Sequence, residues 1–204
     1  MEEEKIPGKD APKEKESLTK SIMLYLHDLI HMLAVIMIVF MLLFRMVIVS
    51  GSSMYSTLWH GDWLLLLSNV FYNDPQYGDI IVASKDSYNT GEAIIKRVIA
   101  TEGQLVDIDF DEGIVYVDGT ALEEDYTYTL TTRPEGVEFP LVVDEGCIFV
   151  MGDNRDDSKD SRHPDIGLVD KREILGKALF LVFPGTGTGW NLAERDFDRI
   201  GVLN

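Results

Sequence analysis

The chain has 204 residues with 18 basic and 35 acidic side chains, a formal charge of −17. Such a surface repels nucleic-acid phosphate, and no basic stripe or nucleic-acid motif offsets it, so polyanion binding is excluded. The 46% hydrophobic content is that of a folded chain. A single cysteine, Cys147, rules out an intramolecular disulfide and reads as a small buried hydrophobe within "CIFVM". Four scattered histidines give no zinc spacing, and the acidic stretch from Asp153 lacks the glycine and terminal glutamate of a calcium loop, so neither metal nor cofactor is expected.

Residues 1–20 are polar, with five lysines and six acids, and predict a disordered tail. Residues 21–49 form an apolar run. Its 24–44 portion, 21 residues long, spans about 32 Å as a helix, enough for a hydrocarbon core. His27, Asp28 and His31 near its start are placed at the interface or against a cavity, and Arg45 can snorkel outward at the far end. A buried core helix and a cleaved signal peptide are the competing readings. A cleaved signal calls for a shorter core and a small-residue cleavage site that is not clear here, which favours a retained anchor. The lysines of the tail favour a cytoplasmic N-terminus, placing residues 50–204 outside.

That remainder reads as mainly β. "WLLLLSNV", "DIIVAS", "AIIKRVIAT", "CIFVM" and "ALFLVF" are short apolar runs separated by Gly, Asp, Asn and Pro. In "LVDIDFDEGIVYVDG" Val106, Ile108 and Phe110 alternate with aspartates before a Glu112-Gly113 turn, which predicts a hairpin. Residues 105–145 are more acidic and turn-rich, consistent with a small β insertion on a β core. "KREIL", 171–175, has room for one helical turn.

Three stretches offer chemistry. Ser53 lies in "VSGSSMYSTLWHGDW", just beyond the apolar run, but a serine attacks a carbonyl only with a base beside it. His60 and His163 are weak candidates, and no G-x-S-x-G elbow is present. Lys96 interrupts "AIIKRVIA", where apolar burial would depress its pKa; the same lysine also reads as a charge guarding an edge strand. Strand alternation points Lys96 and Arg97 oppositely, with one of them toward the apolar side. In "VMGDNRDDSKDSRHPDIG" a strand runs into a dense polar turn, readable as a solvated loop or as a bracket. In the bracket reading a hydroxyl such as Ser158 orients a lysine amine and an Asp160–Arg162 pair braces the loop.

Together these stretches resemble the type I signal peptidases, membrane-bound serine proteases with a Ser-Lys dyad. The likeness covers the chain from the anchor to about residue 183. Ser53-Met54-Tyr55-Ser56-Thr57-Leu58 is similar to their S-M-x-P-T-L box, "YGDIIV" at 77–82 to R-G-D-I-V, and "IIKRVIATEG" at 94–103 to K-R-V-I-G-x-P-G. "GDNRDDSKDSR" at 152–162 reproduces G-D-N-x-x-x-S-x-D-S-R in full.

The resemblance implies a single N-terminal transmembrane helix followed by a signal-peptidase-like β-barrel or β-sheet catalytic domain with a small β insertion. Carried over by position, Ser53 is the nucleophile, Lys96 the general base, and Ser158 the hydroxyl bonded to the Lys96 amine. Asp160 and Arg162 brace the site, while Asp153 and Asn154 shape the turn. Val49 and Ile95 line shallow pockets for small residues at −1 and −3 of a preprotein, with Met54 beside the nucleophile. Met54, Leu58, Trp59 and Trp63 could rest on the bilayer or pack in the β core. The implied partners are preprotein signal peptides and a lipid bilayer. The short single-anchor layout is similar to that of Gram-positive bacterial members.

Four positions depart from the pattern. Ser56 replaces a proline, Ala100 a glycine and Glu102 a proline. Gly51 stands where some members place an oxyanion-donating serine. A self-cleaving repressor would carry a DNA-binding helix-turn-helix in place of the anchor. A non-catalytic, membrane-tethered factor for pilus or surface-protein assembly is the rival of a different class.

Overall fold

The computed structural model describes residues 13–85, 92–187 and 195–203. The chain divides into two units, residues 1–42 and 43–204.

The described part of the first unit is a helix, α1 (Lys13–Leu43), whose last residue falls in the second unit. Its stretch from Leu18 to Leu43 is long and apolar enough to cross a membrane, and none of it is buried by protein. A long helix this apolar, polar mainly at His27, Asp28 and His31 near its start, is suited to lipid. The expected disordered tail of residues 1–20 lies outside the described residues as far as 12; from Lys13 the chain is already helical. The helix also stops six residues short of the expected end at 49. Residues 44–48 are strand β1 (Phe44–Ile48), paired antiparallel with β2 (Trp63–Ser68) from Phe44↔Leu67 to Ile48↔Trp63. The apolar run conceals this change of period because both halves are apolar, and only the pairing partner decides which is strand.

The second unit is all antiparallel β. After β1 and β2 come β3 (Ile80–Ser84), β4 (Ala93–Thr101), β5 (Leu105–Asp109), β6 (Ile114–Val117), β7 (Thr120–Ala121) and β8 (Leu141–Val142). Then follow β9 (Cys147–Met151), β10 (Val169–Asp170), β11 (Ile174–Phe183) and β12 (Gly201–Val202). The large sheet runs β1-β2-β11-β3-β4-β9-β10, with β12 beside β11, and the small sheet runs β7-β6-β5-β8. The expected insertion is therefore a sheet of its own, and the expected hairpin is β5–β6, Val106 opposite Val117. Residues 171–173 form the expected helical turn, closed by an Asp170–Glu173 capping box, and 155–157 and 197–199 form two more.

Strand β3 explains the unbroken "IIVA". Ile81 and Ala83 enter one core with Ile94, Val98, Ile148 and Val150, while Ile80 and Val82 enter another with Met54, Leu58, Leu64 and Leu66. A strand covered on both faces has no polar face to alternate with. A third core, Ile99, Val106, Val115, Phe149 and Met151, joins the two sheets. Met54 and Leu58, at 2% and 0% exposure, are thus core residues and have no surface to rest on a bilayer. Trp63 is half-buried and meets Phe183 edge-on at 6.5 Å.

Candidate active site

Strand β1 hands over to the serine turn at Val49. Val49 N–H donates to Asp62 O (2.8 Å) and Gly61 N–H donates back to Val49 O (2.9 Å), tying the loop's two ends. The chain reverses at Gly51, whose φ of +97° suits glycine. Residues 52–58 then make a helix-like turn, with Tyr55 N–H to Ser52 O (3.0 Å) and Leu58 N–H to Met54 O (2.8 Å). Buried Met54 and Leu58 anchor it from below. Asp62, wholly buried, accepts from Trp59 N–H (2.7 Å) and from Arg199 Nη2 (2.7 Å). The turn is therefore held by packing on one side and by a buried carboxylate on the other.

Lys96 projects from β4 so that its Nζ lies 2.7 Å from Ser53 Oγ. Strand β4 runs between β3 and β9, so Lys96 is not an edge-strand lysine. The expected choice between Lys96 and Arg97 does not arise, since both are buried, at 4% and 2% exposure. Burial pushes the Lys96 pKa down to about 8; the carboxylates of Asp160, Asp153 and Glu135 oppose the shift and Arg162 adds to it. At that value a usable fraction of the amine is neutral near physiological pH.

The hydrogen bond expected between Ser158 and the Lys96 amine is not present among the described residues. The Ser158 hydroxyl donates to Asp160 Oδ2 at 2.8 Å. That bond uses the hydroxyl's one proton and leaves its lone pairs able to accept from an amine. Asp160 also accepts from Gly152 N–H (3.0 Å), Arg162 Nε (2.9 Å) and Arg162 Nη2 (2.9 Å). Burial alone would raise the Asp160 pKa, but the hydrogen bonds and charge of Arg162 outweigh it and hold the carboxyl low. Asp160 and Arg162 are thus a fixed buried ion pair beneath the loop.

Asp153 forms the second buried pair, a bidentate one with Arg97 (2.9 and 2.8 Å), and takes a third bond from Thr57 Oγ1 (2.6 Å). Asn154 holds the serine turn directly: its N–H donates to Ser53 O (3.0 Å) and its Nδ2 to Ser52 O (3.2 Å). Gly152 passes so close that a Cβ there would collide with Ser158 Oγ and Ser53 O. Arg97, Thr57, Asp62 and Arg199 are the residues that sequence reasoning missed. Arg97 stands beside Lys96, but its partner lies 56 positions away and no local spacing announces it.

A groove of about 520 Å3 opens over Ser53 and Lys96. Val47, Val49, Val82 and Ile95 line it together with Met54, and Arg133, Glu135, Asp156 and Lys159 supply charge. Ser53 N–H has no protein acceptor among the described residues, leaving it available to a developing oxyanion, whereas Gly51 N–H donates to His60 Nδ1 (3.2 Å). Of the departures, Glu102 accepts from Gly146 N–H (2.7 Å) and pairs with Lys171 (3.2 Å), bonds that a proline could not make. Ala100 is fully buried in β4. The Tyr55–Ser56 peptide is cis.

A serine hydroxyl and a buried amine sharing one hydrogen bond in a groove are an arrangement that a hydrolase could use. Comparison with known proteins places the chain among peptidases. A family model described as "Signal peptidase, peptidase S26" matches residues 22–183. The chain is 40% identical over 149 residues to a probable signal peptidase I of Synechocystis, covering 69% of this chain and 72% of that one. It is 35% identical over 150 residues to a signal peptidase I of Bacillus licheniformis, covering 70% and 78%. A crystal structure of a signal peptidase I from Enterococcus faecalis aligns with a TM-score of 0.42 at 32% identity, over 51% of this chain and 96% of that one. The chain belongs to the signal peptidase family S26 and is a peptidase.

Proposed function

We propose that the protein removes N-terminal signal peptides from secreted preproteins, with Ser53 as nucleophile and neutral Lys96 as general base. The observation that carries the reading is the 2.7 Å contact between Ser53 Oγ and the buried Lys96 Nζ. An extended preprotein segment adds along the groove as a strand, and small residues at −1 and −3 fit against Val49, Ile95 and Met54. Lys96 takes the Ser53 proton as Oγ attacks the −1 carbonyl, and Ser53 N–H receives the oxyanion. Lys96 passes the proton to the departing amine, leaving an acyl-enzyme. It then takes a proton from the water that attacks the ester, and returns it to Ser53 Oγ.

Helix α1 serves as a single-pass membrane anchor, in the layout of Gram-positive members. The tail lysines keep the N-terminus cytoplasmic and the catalytic unit lies on the outer side. The partners are then preproteins and the bilayer.

The test is cleavage of a preprotein with alanine at −3 and −1 by the full chain in detergent, read by mass spectrometry. The expected result is one cut after the −1 alanine, lost when a bulky residue replaces it. The rate should rise with pH through about 8, because the base acts only once Lys96 has lost its proton. No cleavage of any preprotein would favour the assembly-factor reading, to which Ser56 in place of proline is the pointer. Ser52→Ala should lower kcat/KM by about tenfold at most, since its hydroxyl makes one bond to Asp157 (2.5 Å) at the exposed rim. An inactive Ser52 variant beside an active Ser53 variant would reverse the assignment.

A further inference from the structure

The segment that leaves the small sheet, residues 124–137, is bonded at many points to the loop at 152–162. Glu124 grips Arg155 with both oxygens, Nη2 to Oε1 at 2.6 Å and Nη1 to Oε2 at 2.9 Å. Thr131 Oγ1 accepts from Arg155 Nη1 at 2.6 Å. Tyr128 N–H donates to Asp153 O (2.9 Å) and Val137 N–H to Arg162 O (3.0 Å). The Tyr126 ring lies 4.1 Å from the Arg97 guanidinium and 6.0 Å from that of Arg155.

Arg155 is almost wholly buried, and its Nε reaches inward to Gly152 O at 3.1 Å. Gly152 is the residue against which Ser53 O and Ser158 are packed, and Asn154, next to Arg155, carries the two bonds to the serine turn. None of these contacts touches the reacting atoms, yet together they join the insertion to the nucleophile through one side chain.

We infer that the Glu124–Arg155 pair is a positioning device for the Ser53–Lys96 couple: it holds the loop at 152–158 down over the site and so keeps water from the Lys96 amine. The inference rests on the dyad reading above. Removing the Glu124 charge leaves a buried guanidinium with the neutral Thr131 and Gly152 oxygens but no counter-charge, which favours its turning toward solvent with the loop.

The sign of the effect is diagnostic. The groups acting on Lys96 are its burial, the carboxylates of Asp160, Asp153 and Glu135, and the Arg162 guanidinium. Losing a further negative charge at Glu124 would, through the field alone, lower the Lys96 pKa. Hydration of the amine raises it. A merely structural role reduces the amount of active protein and leaves the pKa where it was.

The experiment is the pH–rate profile of the full-length protein in detergent for Glu124→Gln, together with a 13C NMR titration of labelled lysine in which the Lys96 signal is identified by its loss in Lys96→Met. The expected result is a midpoint moved up by about one unit, hence a roughly tenfold lower kcat at neutral pH, with KM within about twofold and partial recovery in Glu124→Asp. Should Glu124→Gln fail to fold, Thr131→Val removes one Arg155 acceptor and should move the midpoint the same way by less. A midpoint unmoved or lowered overturns the inference. Failure of the wild type to cut any preprotein would count against the proposed function, while the NMR titration would still decide the role of Glu124.

Discussion

Lys96→Ala is expected to lower kcat/KM for preprotein cleavage by about 10,000-fold, because Ser53 Oγ then has no base within hydrogen-bonding distance. Ser53→Ala should cost a similar factor, and the double variant little beyond either single one, since the two act as a unit. Lys96→Arg should be no better than Ala, as a guanidinium does not give up its proton near neutrality. Retention of more than about a tenth of the activity in Lys96→Ala would mean another base. The same residue should cost stability. Its folded pKa of about 8 lies below the ordinary 10.5, so between those values the unfolded chain binds a proton that the folded chain does not. Stability from this group therefore rises with pH from 8 to 10.5, and below 8 the full penalty applies, about 3 kcal/mol. Lys96→Met should accordingly melt higher than the wild type at neutral pH, with the advantage fading in alkali; a lower melting temperature at pH 7 would contradict the cause assigned to the shift.

Asp153→Ala is expected to destabilise the second unit by about 3–5 kcal/mol, which for a unit of this size is a fall of roughly 10 °C in melting temperature. The cost comes less from the lost bonds than from Arg97, left charged at 2% exposure without its carboxylate. Thr57 loses its partner at the same time, so the serine turn should loosen and activity fall with stability. Replacing both members, Arg97→Met with Asp153→Leu, should recover much of the melting temperature while activity stays low. A shift below about 2 °C in Asp153→Ala would show that water reaches Arg97.

Much of the large sheet could be read from short apolar runs, because each is bounded by turn residues and five of them become β2, β3, β4, β9 and the end of β11. The β5–β6 hairpin was legible from alternation alone. The switch from helix to strand at Phe44 was not, since Met46, Val47 and Ile48 are as apolar as the helix before them and gain strand character only from β2. In the site, the four boxes singled out Ser53 and Lys96, which the fold brings together from 43 positions apart. The Asp160 acceptor of Ser158 was not legible, because a motif does not say which of its own members bond one another. Glu124 and Arg155 were illegible for a plainer reason: 31 positions separate them, and neither carries a signal of its own in an acidic stretch.

Strand β4 places two cations side by side and sends them to opposite fates, one stripped of water beside Ser53, the other clamped by a carboxylate. Because side chains alternate, a slip of one residue against β3 or β9 would turn each to the other's face. In one direction Arg97 would stand where a removable proton is needed and Val98 would face Asp153; in the other Ile95 would stand beside Ser53 and Lys96 would face Asp153 without the second arm that a forked pair requires. Misregistered molecules are thus both inert and poorly held, so the pairing of one strand acts as a checkpoint: a chain that has not settled into the right alignment has no protease to release.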